Sequence, residues 1–199
     1  LAFTVLLEDP RAGKVLGEAL ARRAPEDPRG PLALAQAALL QKQPEEALRQ
    51  LTTASKLDPD RVETPSLLGS LLVSSGKPRE AFIYLNNAFS LRPYDDTVTP
   101  TLLVVLSQFN PRQALSLAES YLDYVRAAKR APVSSVLQLY GRLMLRGGRQ
   151  GEALERVGAT WKAHSQRYEV GLVYAELLAV TGQRKRARAV VAEVERLQP

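Results

Sequence analysis

Prolines recur along this chain at a nearly constant interval, and this interval restricts the possible fold more than any other feature of the sequence. The first set consists of Pro10, Pro44, Pro78 and Pro111. The interval between its members is roughly 34 residues, the length of a common helical repeat. Each member stands just before a segment with a helical pattern, such as PEEAL or PREAF. Proline suits the first turn of a helix, where its missing N–H has no intrahelical partner, and it cannot continue a helix.

Two further sets of prolines share this period. One consists of Pro31, Pro65, Pro100 and Pro132. The other follows the helical patterns and consists of Pro25, Pro59 and Pro93. A period of this length indicates a structural unit that is repeated in space. We therefore predict that each unit contains a helix, a short turn, a second helix and a stop.

Small residues recur with the same period. One group falls in the middle of the first predicted helix and consists of Ala35, Gly69, Gly141 and Ala175. Another falls near the start of the second helix and consists of Ala47, Ala81, Ala114, Ala153 and Ala187. Such side chains let the paired helices approach closely where they cross. The predicted turns contain Gly76, Gly148 and Gly182, because a positive φ angle costs glycine least.

This pattern resembles the tetratricopeptide repeat, a 34-residue helix–turn–helix with small residues and a closing proline at fixed places. The resemblance implies an all-α, right-handed α-solenoid that forms a single domain over residues 1–199. The expected repeats are residues 1–27 (partial, with its first helix cut short), 28–61, 62–95, 96–133, 134–167 and 168–199. The aromatic residue expected early in the first helix is missing. The 96–133 repeat has about four extra residues, which we expect to lengthen its second helix.

Features that could support catalysis are sparse. The chain has no cysteine, so it has neither a disulfide nor a thiolate nucleophile. Its one histidine, His164, and the adjacent carboxylates Asp95 and Asp96 fit helix ends better than acid–base roles. The glycines of RGGRQG (146–151) fit a repeat turn better than a phosphate loop, since no strand precedes them. The sequence therefore predicts a protein that is not an enzyme and that uses neither a cofactor nor a metal.

The resemblance also implies a binding surface. In tetratricopeptide proteins the first helices line a concave groove that holds the partner, so we expect a non-catalytic scaffold for a protein or peptide. The groove positions carried over from the family are Gln36, Ser70, Gln138, Arg142 and Glu176. Arg146 joins them because i, i+4 spacing places it on the same helix face as Arg142. The lysine and asparagine clamp of chaperone adaptors is absent, so we do not expect chaperone-tail binding.

Positive charge is concentrated in the last third of the chain. Residues 134–199 contain 11 basic and 6 acidic side chains, so they contribute +5 of the net +6. A basic patch at the start of the last predicted helix consists of Arg184, Lys185, Arg186 and Arg188. Positive charge there opposes the helix dipole. A solvated face is one explanation, and binding of an anionic polymer, either polysaccharide or nucleic acid, is the alternative function.

The cellular context rests on the resemblance and on composition. Bacterial arrays of this kind often belong to envelope assemblies, including exopolysaccharide export, so the bacterial periplasm is favoured over the cytoplasm for an otherwise unknown location. Nucleic acid is not the expected partner of such a scaffold. No apolar run reaches the roughly 20 residues that a membrane helix needs. The start, LAFTVLLEDP, is interpreted as a cut inside a longer chain, and we expect self-association through the cut ends.

Overall fold

The computed structural model describes residues 9–197, and regular secondary structure in this range is entirely helical. The all-α fold class is thereby confirmed. The helices of the described range are α1 (Pro10–Arg23), α2 (Arg29–Leu40), α3 (Pro44–Leu57), α4 (Glu63–Ser74), α5 (Pro78–Leu91), α6 (Val98–Phe109), α7 (Pro111–Ala127), α8 (Ser134–Arg146), α9 (Gln150–Ala163), α10 (Tyr168–Val180) and α11 (Arg184–Glu195).

The prolines lie where the sequence predicts them, in first helical turns and behind helix ends. The first residue of α1, α3, α5 and α7 is a proline. Residues just before two of these helices accept a backbone N–H and so cap the helix. The Asp9 carboxylate accepts from Arg11 N–H at 2.8 Å, and the Asn110 side chain accepts from Gln113 N–H at 3.2 Å.

The turns inside the helix pairs use the left-handed backbone region. Gly76, Gly148 and Gly182 have φ angles of 72°, 72° and 83°, which confirms the prediction for these glycines. Lys42 takes the corresponding place between α2 and α3 with a φ of 57°, although a side chain makes this conformation less favourable. Between α6 and α7 only Asn110 remains, which explains why the interval from Pro78 to Pro111 is shorter than the others in its set.

The chain divides into two compact units, and the first of them extends through Thr101. Within it, successive helices from α1 to α5 pack against their neighbours. The core lies where the inner face of α3, formed by Ala47, Leu51 and Ala54, meets apolar side chains of α2 and α4. All three of these α3 residues are fully buried.

The second unit begins at Leu102 and contains the end of α6 and helices α7 to α11. Helix α7 has 17 residues where α3, α5 and α9 have 14 each, in line with the lengthening expected for the 96–133 repeat. The hydroxyl of Tyr121, which is fully buried, accepts the Val133 N–H at 3.1 Å and so ties α7 to the start of α8.

Two glycines at the same repeat place have different neighbours. A Cβ built on Gly69 would lie 2.6 Å from Cδ2 of Leu85 on the paired helix α5, so Gly69 allows the close crossing that the sequence predicts. A Cβ on Gly141 would lie 3.6 Å from Cδ1 of Leu177, which is on α10, the first helix of the following pair. The prediction that Gly141 serves the crossing of its own helix pair is therefore wrong.

The single domain over residues 1–199 and the repeat boundaries stay predictions. The predicted cut of the first helix in repeat 1–27 falls on residues 1–8, which lie outside the described residues.

Candidate partner-binding site on helices α8 and α10

Three of the predicted groove residues meet in the second unit. Gln138 and Arg142 are one turn apart on α8, and i, i+4 spacing places them on one face of that helix. Glu176 lies on α10, one repeat period after Arg142. Its Oε2 accepts from Gln138 Nε2 at 2.7 Å, and its Oε1 accepts from Arg142 Nη2 at 3.5 Å. Helices α8 and α10 lie side by side. The carboxylate of Glu176 therefore accepts hydrogen bonds from both Gln138 and Arg142 of α8.

The ion pair in this cluster is exposed and long. The side chain of Arg142 is 57% exposed and that of Glu176 is 45% exposed. Exposed pairs of this kind contribute only about 0–1 kcal/mol, since water and salt screen them. An incoming carboxylate can therefore replace or share the contact of Arg142 at a small cost.

An apolar cavity of about 170 Å³ lies beside the polar cluster. Its apolar walls are Leu145 of α8 with Val173, Leu177 and Val180 of α10, and Gly141 leaves room between them. Gln138, Arg142 and Glu176 form its polar rim. A largely apolar cavity with a few converging polar groups is the usual form of a ligand site.

Arg146 lies one turn beyond Arg142 at the end of α8. Its side chain is exposed, does not line the cavity, and forms no ion pair with residues 9–197. Of the two predicted arginines, Arg142 therefore pairs with Glu176, whereas the charge of Arg146 is not paired within residues 9–197.

The other predicted groove residues belong to the first unit. Gln36 of α2 is partly buried, and its Oε1 is enclosed without a hydrogen-bond partner. Ser70 of α4 is exposed. Neither residue contributes to the cluster on α8 and α10.

The basic patch lies on the first turns of α11. Arg184, Lys185 and Arg188 are exposed. Arg186 donates to the Tyr174 hydroxyl at 2.8 Å and to Gln183 Oε1 at 2.5 Å, and both acceptors are uncharged. Within residues 9–197, therefore, none of the four cations is neutralised by a carboxylate.

The histidine and the glycine loop lie at helix ends, where the sequence predicts them. His164 is the C-cap of α9, where its N–H donates to the Thr160 carbonyl at 3.1 Å and its carbonyl accepts from Arg167 N–H at 2.9 Å. Gly148 of RGGRQG forms the left-handed turn between α8 and α9.

Asp95 caps the start of α6, which confirms the capping role that the sequence predicts for it. Its Oδ1 accepts from the Thr97 N–H at 2.8 Å, from the Thr97 hydroxyl at 2.5 Å and from the Val98 N–H at 3.3 Å. Burial alone would raise the pKa of this carboxyl, but the hydrogen bonds from Thr97, Val98 and Arg92 together hold the pKa below its ordinary value of 3.8.

We expect Asp95→Ala to lower the free energy of unfolding by about 0.5–2 kcal/mol at neutral pH, the usual effect of losing an N-cap. Because the pKa is lowered in the folded state, this stabilisation is complete above pH 3.8 and is lost as the pH falls through the folded-state pKa. Urea unfolding at neutral pH and well below pH 3.8 measures both effects. Asp60→Ala, at an exposed position before α4, is the control, and an equal loss in both variants would contradict the capping role.

Sequence reasoning missed an ion-pair network between α7 and α9. Arg156 donates to Asp123 Oδ1 at 2.7 Å and to the Glu119 carbonyl at 3.1 Å, and its guanidinium lies 5.6 Å from the ring centre of Tyr140. Arg149 pairs with Glu152 at 2.7 Å, and this hydrogen bond lowers the pKa of Glu152. The i, i+3 spacing of Arg149 and Glu152 could have indicated their pair, whereas the contacts of Arg156 depend on the packing of three helices.

Metal and membrane features are absent from the described part of the chain. Residues 9–197 contain no group of three histidine, cysteine, aspartate or glutamate side chains placed to hold a metal ion. None of the helices in this range combines the length and the apolar character required to cross a bilayer.

The sequence matches no protein-family model and no curated protein. Solved structures, however, share its fold. MamA from Desulfovibrio magneticus RS-1 aligns with a TM-score of 0.64 at 18% identity, covering 85% of this chain and 94% of the MamA chain. YrrB, a TPR protein with an unusual peptide-binding site, aligns with a TM-score of 0.64 at 17% identity, covering 92% of each chain. The chain has the tetratricopeptide-repeat fold.

A third tetratricopeptide-repeat match is PilF from Pseudomonas aeruginosa. Its TM-score is 0.65 at 17% identity, and the alignment covers 86% of this chain and 77% of the PilF chain. The resemblance inferred from the prolines and small residues is thus confirmed at the level of the fold. At these identities the likeness concerns the fold alone.

Proposed function

We propose that this protein is a non-catalytic scaffold that binds a segment of a partner protein across helices α8 and α10. The observation that carries the proposal is the Gln138–Glu176–Arg142 cluster beside an apolar cavity. Arg142 and Arg146 provide the charge-assisted hydrogen bonds, which are stronger than bonds between neutral groups. Gln36 and Ser70 are proposed separately, as partner contacts on the first unit.

The fold supports a binding role over catalysis. Each repeat of a helical array buries its apolar face against its neighbours, so the array offers a long surface for a partner. YrrB, with the same fold, has a peptide-binding site. We extend the proposal to a bacterial envelope assembly such as exopolysaccharide export, and to self-association through the ends of the array.

Charge reversal tests the proposal. We expect Arg142→Glu combined with Arg146→Glu to abolish capture of the native partner, because the reversed charges repel the carboxylate that the arginines attract. The helical circular dichroism and the melting temperature should stay nearly unchanged, since both side chains are exposed. Partner capture from a lysate of the source cells, with identification by mass spectrometry, is the measurement.

The matched control is the same reversal at Arg184 and Arg188, two exposed arginines on α11 with the same i, i+4 spacing. Both double variants change the net charge equally, so a general electrostatic effect would weaken both. If the 142/146 variant still captures the partner and the 184/188 variant does not, the proposed site is wrong.

That second outcome would favour the alternative function, binding of an anionic polymer through the basic patch. The specific observation in its favour is that Arg184, Lys185, Arg186 and Arg188 have no carboxylate partner among the described residues. Polymer binding releases counterions, so its affinity would fall steeply with salt. A titration with heparin or single-stranded DNA at increasing salt concentration distinguishes this function from peptide binding.

A further inference from the structure

We infer that the cavity beside Gly141 holds one aliphatic side chain of the partner, and that an acidic residue adjoins this side chain in the partner's sequence. This inference rests on the proposed function and specifies the chemistry of the bound segment. It follows from the size of the cavity, from the room that Gly141 leaves, and from the charge on the rim.

The size of the cavity suits a single apolar side chain. Its volume is about 170 Å³, and a dry apolar cavity of roughly 150 Å³ in a protein accepts a molecule as large as benzene. Leucine, isoleucine and methionine side chains are of this size. The cavity walls are formed by Leu145, Val173, Leu177 and Val180, whose side chains form no hydrogen bonds. An aliphatic group therefore binds there more favourably than a polar one.

The cavity exists because no side chain of residues 9–197 fills the room above Gly141. At the same repeat place, the space above Gly69 is occupied by Leu85, so close that a Cβ would clash. Above Gly141, the neighbour of a Cβ among the described residues would be Leu177 alone, at the ordinary contact distance of 3.6 Å. The side chain of Val180 is 63% exposed, so the cavity is open to solvent and can be entered.

The charge on the rim selects the neighbouring residue of the partner. On the rim, the charge of Arg142 is balanced by Glu176, which also accepts from Gln138. One turn further along α8, outside the cavity, Arg146 adds a positive charge that is not paired within residues 9–197. The surplus is positive and lies on the α8 side of the cavity. A partner segment whose aliphatic residue enters the cavity therefore binds most tightly when the next or the preceding residue is aspartate or glutamate. That carboxylate can then accept a charge-assisted hydrogen bond from Arg142 or Arg146.

The test uses a display library of random linear peptides selected on the immobilised chain. Selected peptides are synthesised with a fluorophore, and their affinities are measured by fluorescence anisotropy. We compare the wild type with Gly141→Leu, which fills the cavity, and with Val180→Glu, which places a charge on its exposed wall. The matched control is Ile83→Glu, because Ile83 of α5 is 67% exposed and so close to Val180 in exposure.

We expect the selected peptides to contain leucine, isoleucine or methionine next to an acidic residue. Gly141→Leu and Val180→Glu should each weaken binding at least about tenfold, the effect of losing one well-buried anchor. Ile83→Glu should bind as the wild type does. Val180→Glu keeps the test decisive if Gly141→Leu fails to fold, because an exposed position tolerates the change.

Four outcomes would overturn the inference. Selected peptides without an aliphatic–acidic pair, or a library that gives no binder, would contradict the proposed chemistry of the segment. Wild-type affinity in both cavity variants, with loss in the Arg142→Glu and Arg146→Glu variant, would refute the aliphatic anchor and leave the proposed function standing. Wild-type affinity in all three variants would refute both.

Discussion

Trp161→Ala is expected to lower the free energy of unfolding by about 3–5 kcal/mol, the usual range for removing a buried tryptophan. The chain has one tryptophan, and Trp161 is 5% exposed between α9 and α10. A Cβ built on Gly171 of α10 would lie 2.8 Å from Cζ3 of its indole ring, so the ring lies directly against the α10 backbone. Alanine would leave a cavity that the rigid helix backbone cannot close.

Urea unfolding followed by helical circular dichroism measures this loss. Because the chain has two compact units, unfolding can occur in two steps, and the loss should appear in the step of the second unit. Lys162→Ala, at the adjacent exposed position, is the control and should change the free energy by less than about 0.5 kcal/mol. A change of under about 1 kcal/mol in Trp161→Ala would show that the indole is not part of the core.

Local features could be predicted from the sequence because they depend on a few neighbouring residues. A proline fixes the start of a helix by its own geometry, as Pro44 and Pro78 do. A glycine such as Gly148 indicates a left-handed turn because other residues meet a steric penalty there. Lys42 shows the limit of this reasoning, since the turn it occupies keeps the same backbone without a glycine.

Contacts between helices could not be predicted in the same way. Trp161 and Arg156 lie on α9, and their partners come from α7, α8 and α10. Which face of a helix meets which neighbour depends on crossing angles that a single sequence does not contain. The repeat period predicts the order of the helices but does not determine their crossing angles.

The candidate site was partly accessible from the sequence. The family resemblance indicated Gln138, Arg142 and Glu176 as separate groove positions, and the structure joins them through one carboxylate. A signal for this contact was present, because Arg142 and Glu176 have opposite charge at the same place of successive repeats. The cavity has no such signal, since the repeat pattern predicts Gly141 as a crossing residue and the structure places it opposite Leu177.

Gly69 and Gly141 therefore provide a matched pair in which the same substitution should have opposite effects. Gly69→Ala is expected to lower the free energy of unfolding by about 1–3 kcal/mol, the usual cost of overpacking. Its Cβ would lie 2.6 Å from Cδ2 of Leu85, a fully buried side chain on the paired helix α5. Gly69→Leu should cost at least as much. Gly141→Ala should raise the free energy by up to about 1 kcal/mol, since alanine favours the helix and the new Cβ makes an ordinary contact with Leu177.

Urea unfolding of both alanine variants beside the wild type measures the two changes. Lys56→Leu, at an exposed position of α3, controls for a change in surface apolarity and should alter the free energy by less than about 0.5 kcal/mol. The opposite signs are decisive, because helix propensity alone would make both alanine variants more stable by the same amount. If Gly69→Ala is as stable as Gly141→Ala, Leu85 does not fill the space above Gly69. The proposed difference between a closed helix crossing at Gly69 and an open cavity at Gly141 would then be refuted.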